Sequence, residues 1–192
     1  MKLVLASKSP YRKKLLSRLG YPFEVSPSNI NENLLKQSNL TNLEIAYALA
    51  KEKAKVVLNS FPDSMIIGSD QILVFQNQIF DKPGNHQKAL EQLNLLNAKT
   101  HHLITAVSVI SRDNEYHFHN KTELTMKELS EDEISCYLLK DTPYDCVGSY
   151  KIESFGIGLF ENIKTDDFSA IEGLPLIALS AYLRSTLGPW LL

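Results

Sequence analysis

The chain has 192 residues, 44% of them hydrophobic, and a formal net charge of −2. That length builds one domain or two closely fused lobes, and the composition is enough to fill a core. The charge provides no broad field to hold a nucleic acid, no apolar run reaches membrane-span length, and "MKLVLA" is too short for a secretion signal, so a cytoplasmic location is expected.

"KLVLA" reads as a buried first strand. Ser9 and Pro10 then look like the N-cap and first position of a helix whose apolar face is Leu15, Leu16 and Leu19, with Gly20 ending it. "FEVSPS" is a second short strand, and the polar, Asn-rich residues 29–39 read as loop. Thr41 with Glu44 makes a capping box for a helix over 42–59. "SMIIGSDQILVFQNQIF" reads as a buried strand, a break at Gly68–Asp70, and a hairpin turning at residues 76–78. A helix is expected over roughly 85–97, two long strands over 102–111 and 115–127, and a helix capped by Ser130 and Glu133. Residues 144–163 look like strand and Gly-containing turns, and Pro175 opens a last helix to about Leu187. Strands alternate with helices before a long hairpin intrudes, so the fold class is α/β with a mixed sheet and flanking helices.

Four places offer polar groups of chemical interest. In "ASKSPYRKKLL" a helix N-terminus presents free N–H groups, Ser7 and Ser9 add hydroxyl donors, and Arg12 adds a planar fork suited to phosphate. The alternative is a solvated cationic helix start. In "IIGSDQ", Gly68 allows a bend and Asp70 stands at the strand's C-terminal end, where ligands gather in α/β sheets. An aspartate there holds a divalent cation or activates water, unless it merely caps a turn. Lys82 in "FDKPGN" precedes Pro83, which extends its backbone and aims its ammonium. Lys53 in "LAKEKAK" neighbours Leu49, Ala50 and Ala54, at the edge of a buried stripe, where snorkelling is the plain alternative.

Other features carry less. His117 and His119 share a strand face by alternation and read as a solvated face, whereas His101 and His102 point to opposite sides. Trp190 reads as packing. Cys136 and Cys146 give no disulfide framework and are expected as small buried thiols. No structural-zinc spacing, nucleophile elbow, Walker A or dinucleotide fingerprint is present.

Taken together, "LASKSPYRKKLL", "LAKEKA" (49–54), "IIGSDQ" (66–71), "DKPGN" (81–85) and "IEGLPLIAL" (171–179) resemble the Maf family of nucleoside triphosphate pyrophosphatases, in order and over nearly the whole chain. "LITAVSV" and "LSEDEISCYL" fit as well. The resemblance implies one Maf-like domain over 1–192, with an elongated mixed sheet and two lobes about a central cleft (Maf/ITPase-like). It also implies a homodimer, and cleavage of a nucleoside triphosphate to monophosphate and pyrophosphate with a divalent cation, Mg²⁺ or Mn²⁺. By motif, Asp70 matches the catalytic acid. Ser7, Ser9, Arg12, Lys13, Lys53 and Lys82 fall on the phosphate side, and Glu32 joins Asp70 on the metal side.

Three positions sort the branches of the family. The dTTP/UTP branch reads Ser-Pro-Arg-Arg, Asp-Thr and Gly-Ile-Gln where this chain has Ser9-Pro10-Tyr11-Arg12, Asp70-Gln71 and Lys151-Ile152-Glu153. Tyr11, Gln71 and Glu153 resemble the 7-methyl-GTP branch. Methylation at N7 makes the purine cationic, which a Tyr face attracts by about 0.5–2 kcal/mol. A Glu carboxylate accepts from the guanine N1–H and amino group while countering that charge. The competing readings are a dTTP/UTP or broad noncanonical-nucleotide pyrophosphatase, and a non-catalytic regulator of septum formation, a role the family is linked to. A nucleic-acid binder lacks any basic excess.

Overall fold

A computed structural model describes residues 1–36 and 38–189 and divides the chain into two compact units. The first comprises Met1–Gln71, Thr105–Asn120 and the chain from Asp167; the second comprises Ile72–Ile104 and Lys121–Asp166. Trp190 lies outside the described residues.

The first unit begins with β1 (Lys2–Leu5), α1 (Pro10–Ser17), β2 (Phe23–Val25), α2 (Glu32–Lys36) and α3 (Asn42–Leu58). It also holds most of the buried half of β3 (Ser64–Phe75). The second unit contains β4 (Gln78–Phe80), α4 (His86–Leu96) and α5 (Glu131–Asp141), together with β7 (Phe160–Lys164). β5 (Thr100–Ile110) and β6 (Glu115–Met126), like β3, contribute residues to both units, and α6 (Leu176–Leu187) returns to the first. The strand order is β2-β1-β3-β5-β6-β7, with β4 beside β3. β1 pairs parallel with β2 and β3, whereas β3–β4 and β6–β7 are antiparallel, so the sheet is mixed as the sequence predicts.

Alternation along the strands sets the layers of the first unit. Leu3, Leu5, Met65, Ile67, Val107 and Val109 pack with Leu15 and Leu16 of α1 and Leu176, Leu179 and Leu183 of α6. The intervening Val4, Ala6, Ile66 and Ile110 pack with Ala54 and Val57 of α3. β1 is therefore covered on both faces, as parallel strands in α/β folds are. In the second unit α4 buries Ala89, Leu93 and Leu96 and packs against α5, which buries Ile134, Tyr137 and Leu138. The β3–β4 hairpin turns at Gln76 and Asn77, both with positive φ (49° and 66°), as a tight two-residue turn requires.

The helix caps form where the sequence places them. Ser9 caps α1 with Pro10 behind it, and complete capping boxes join Thr41 to Glu44 and Ser130 to Glu133. Three expectations change. Residues 29–39 are not all loop, because α2 forms within them. The cysteines are free thiols but not buried: Cys136 faces outward from α5 and Cys146 is half-buried.

The third change is the largest. β3 runs unbroken through Gly68–Asp70, so Asp70 sits inside a strand rather than at its end. Gly68 serves packing, not bending. A Cβ there would lie 2.1 Å from the Ala50 carbonyl oxygen and 2.9 Å from the Ala54 Cβ, because α3 crosses directly over the strand. Gly68→Ala is expected to cost about 3 kcal/mol by overpacking, read as a lower urea midpoint with an unchanged slope.

Candidate active site

The opening turn shapes a set of hydroxyl donors. The Ser9 N–H donates to Ser7 Oγ (3.1 Å) and the Arg12 N–H to Ser9 Oγ (3.4 Å). Each hydroxyl oxygen thus accepts from the backbone, which leaves its own hydrogen free to donate to an anion. Tyr11 and Arg12 follow in the first turn of α1, both half-buried, while Lys13 and Lys14 are exposed.

Arg12 is fixed from the far end of the chain. Its Nε donates to the Gly173 carbonyl (2.9 Å), which also accepts from Ser69 Oγ (3.0 Å). The Nη groups make no hydrogen bond to any described residue. Burial works against the guanidinium's charge and lowers its pKa, while Asp70 and Glu32 favour that charge.

Those two carboxylates meet on Lys53. Asp70 is 5% exposed and Lys53 9%, so neither snorkelling nor turn-capping describes them. Lys53 Nζ pairs with Asp70 Oδ1 and, at 2.7 Å, with Glu32 Oε1. Glu32 Oε2 lies 3.8 Å from Lys36 within α2, the helix the sequence reading missed. Burial raises the Glu32 pKa, but Lys53, Lys36 and Arg12 outweigh it and hold the carboxyl below its ordinary value. Arg12, Glu32, Lys53 and Asp70 therefore form one electrostatic group in the first unit. Buried charges persist only when paired in this way.

Gln71 is used internally. Its Nε2 donates to the carbonyls of Ala170 (2.8 Å) and Ile171 (3.0 Å) and to Thr105 Oγ1 (2.9 Å). Two carbonyls fix the orientation of the amide, so only Oε1 remains to face anything else. The segment that receives Gln71 and Arg12 is itself braced. Asp167 Oδ1 accepts from the Ser169 N–H (3.0 Å), and Asp167 Oδ2 from the Ile177 N–H (2.7 Å). Ser69, Thr105, Asp167 and Gly173 were not singled out from sequence. "IEGLPLIAL" marked the segment, but a carbonyl acceptor leaves no signature in residue type.

Lys82 and Glu153 belong to the second unit. Both are exposed, and neither has a hydrogen bond or ion pair to a described residue. The discounted histidines are accounted for by neighbours. His117 meets Ser108 Oγ (2.9 Å), His119 meets the Tyr47 hydroxyl (2.8 Å), and His101 is buried against the Tyr150 hydroxyl (2.9 Å). His102 is half-buried on the other side of β5 from His101. No helix among the described residues is long and apolar enough to cross a membrane.

An α/β sheet protein with hydroxyls and an arginine at a helix N-terminus, beside a buried lysine and two carboxylates, is equipped to handle phosphate. The Maf-like protein family model matches residues 2–186, and the chain belongs to the Maf family. A 7-methyl-GTP pyrophosphatase of Bdellovibrio bacteriovorus is 40% identical over 183 residues, 95% of this chain and 96% of that one. A 7-methyl-GTP pyrophosphatase of Aromatoleum aromaticum is 42% identical over 186 residues, 96% and 95% of the two chains. A dTTP/UTP pyrophosphatase of Bacillus cereus is 37% identical over 183 residues, 95% and 94% of the two. A solved nucleoside-triphosphatase / dITP/XTP pyrophosphatase from Mycobacterium abscessus covers 97% of both chains at 13% identity and a TM-score of 0.44, too remote to inform the site.

Proposed function

We propose that this Maf-family nucleotide pyrophosphatase hydrolyses 7-methyl-GTP to 7-methyl-GMP and pyrophosphate. The observation that carries the reaction is the buried Asp70, tied through Oδ1 to Lys53, with Oδ2 accepting no hydrogen bond from a described residue. That oxygen takes the proton of a water attacking the α-phosphorus. Lys53 keeps the carboxylate oriented. The departing pyrophosphate carries about three to four negative charges, which calls for several cations to converge. Arg12 offers its Nη groups to that charge, and Ser7 and Ser9 offer their hydroxyl hydrogens. Lys13 and Lys82 keep the phosphate-side roles that the family resemblance implies.

The donor set suits a hard divalent cation. Asp70 and Glu32 converge on one ammonium, and Mg²⁺ or Mn²⁺ is bound through one or two carboxylates together with substrate phosphates. No group of three His, Cys, Asp or Glu gathers among the described residues, so Asp70 and Glu32 would hold such an ion together with phosphate and water oxygens. When bound, the ion supplies charge neutralisation on the triphosphate.

The base preference rests on Tyr11, Gln71 and Glu153. Glu153 is an exposed carboxylate with no ion pair or hydrogen bond to a described residue, which complements a cationic methylated guanine and repels the carbonyl acceptors of thymine or uracil. Gln71 acts on specificity through the 170–173 segment it holds, leaving only Oε1 for direct contact. The Bacillus cereus relative keeps dTTP/UTP hydrolysis as the second reading; all three sorting residues here differ from that branch's pattern.

Hydrolysis in ¹⁸O-labelled water tests the reaction. The label is expected in the nucleoside monophosphate, with pyrophosphate unlabelled. Label in pyrophosphate, or release of single orthophosphates, contradicts attack at the α-phosphorus.

A further inference from the structure

Glu153 makes no hydrogen bond or ion pair to a described residue, but the residues on either side of it are held. In the second unit Ser149 Oγ donates to Gln92 Oε1 (2.7 Å), and the Tyr150 hydroxyl pairs with His101 Nε2 (2.9 Å). The Lys151 N–H donates to the Tyr137 hydroxyl (2.9 Å), and the Ile152 side chain is buried. Beyond Glu153, Ser154 Oγ donates to Asp141 Oδ1 (2.7 Å) and the Gly156 N–H to Asp141 Oδ2 (3.2 Å). Lys151 Nζ reaches the Asp141 carbonyl (2.8 Å). The segment folds back so closely that a Cβ on Gly156 would lie 2.3 Å from the Lys151 carbonyl oxygen.

Asp141 is placed where a carboxylate opposes stability. It is 7% exposed and is the last residue of α5, at the negative end of the helix dipole. Its carboxylate accepts from residues 154 and 156 and also hydrogen-bonds the Tyr137 hydroxyl, and its carbonyl accepts from residue 151. The contacts to residues 151, 154 and 156 bracket Glu153 within six residues. A group that binds substrate with fixed geometry needs such a supporting set of hydrogen bonds around it.

We propose that Asp141 is a positioning residue for base discrimination: it locks the 151–156 turn so that the Glu153 carboxylate is presented to the methylated guanine in one orientation. The proposal rests on the reading of Glu153 as the base-recognising group. Asp141 touches no reacting atom. Its loss acts on selection among bases and leaves the phosphate chemistry of the first unit alone.

The test is a double-mutant cycle read as the ratio of kcat/KM for 7-methyl-GTP over GTP, with folding checked by urea unfolding. The variants are Asp141→Asn, Ser154→Ala, Glu153→Gln and the Asp141→Asn/Glu153→Gln pair. Ser154→Ala removes one exposed hydroxyl and keeps the proposal testable if Asp141→Asn fails to fold. Asp141→Asn and Ser154→Ala are each expected to lower the ratio by about 3- to 10-fold, the range of one lost hydrogen bond, through KM more than kcat. In the Glu153→Gln background, Asp141→Asn is expected to change the ratio no further. If Glu153→Gln alone leaves the ratio unchanged, the reading of Glu153 fails and takes the proposal with it. If Glu153→Gln collapses the ratio while Asp141→Asn and Ser154→Ala do not, or if Asp141→Asn has the same effect with and without Glu153, the positioning role is overturned and Glu153 stands.

Discussion

Asp70→Asn is expected to cut turnover by about 10²–10⁴-fold, the span a lost general base removes, while the protein stays folded. Asparagine keeps the shape of the side chain and an oxygen for Lys53, and Lys53 retains Glu32 at 2.7 Å. Substrate affinity changes less than turnover, because Arg12, Ser7 and Ser9 are untouched. Near-normal turnover by a folded Asp70→Asn protein contradicts the assignment of Asp70 as the base.

Lys53→Met is expected to have the largest effect on stability, and the effect depends on pH. Removing one partner of a buried ion pair costs about 3 kcal/mol or more, and Asp70 would be left at 5% exposure beside Glu32 with no ammonium between them. Glu32 is partly exposed, so solvent screens its share and most of the cost falls on Asp70. The sign with pH follows from Glu32, whose pKa in the folded protein is held below its ordinary value by Lys53, Lys36 and Arg12 against the opposing effect of burial. A depressed carboxyl contributes stability above its unfolded pKa and loses it as pH falls through the folded pKa. Without Lys53 that contribution shrinks. The stability gap between wild type and Lys53→Met is therefore widest near neutral pH and narrows as pH drops below about 4. Urea unfolding from pH 7 to pH 3.5 measures it; a gap that stays constant or widens toward acid contradicts the pairing.

Much of the fold was legible because its determinants are local. Ser9–Pro10, Thr41–Glu44 and Ser130–Glu133 are caps whose chemistry lies within three residues, and each forms as expected. The break in β3 was misread because Gly68 answers to a helix crossing above it, a tertiary cause that sequence does not display. α2 was missed for a related reason. Its five residues, Glu32–Lys36, are too few to stand out among the flanking asparagines or to form a stable helix alone, and Glu32 is held by Lys36 within the helix and by Lys53 from α3. Lys53 was visible at the edge of an apolar stripe, but its partners were not. The supports around Arg12 and Asp70, Ser69 on Gly173 and Gln71 on Ala170 and Ile171, act on backbone groups that any residue supplies.

The central claim is the preference for a cationic methylated guanine, and a substrate panel measures it. Pyrophosphate release is followed under kcat/KM conditions for 7-methyl-GTP, GTP, dTTP and UTP with Mg²⁺ or Mn²⁺ present. The account predicts 7-methyl-GTP as the preferred substrate by at least about tenfold, the ratio that 1.4 kcal/mol of charge-assisted and cation–π contact provides. Equal rates on all four, or a preference for dTTP and UTP, contradict it.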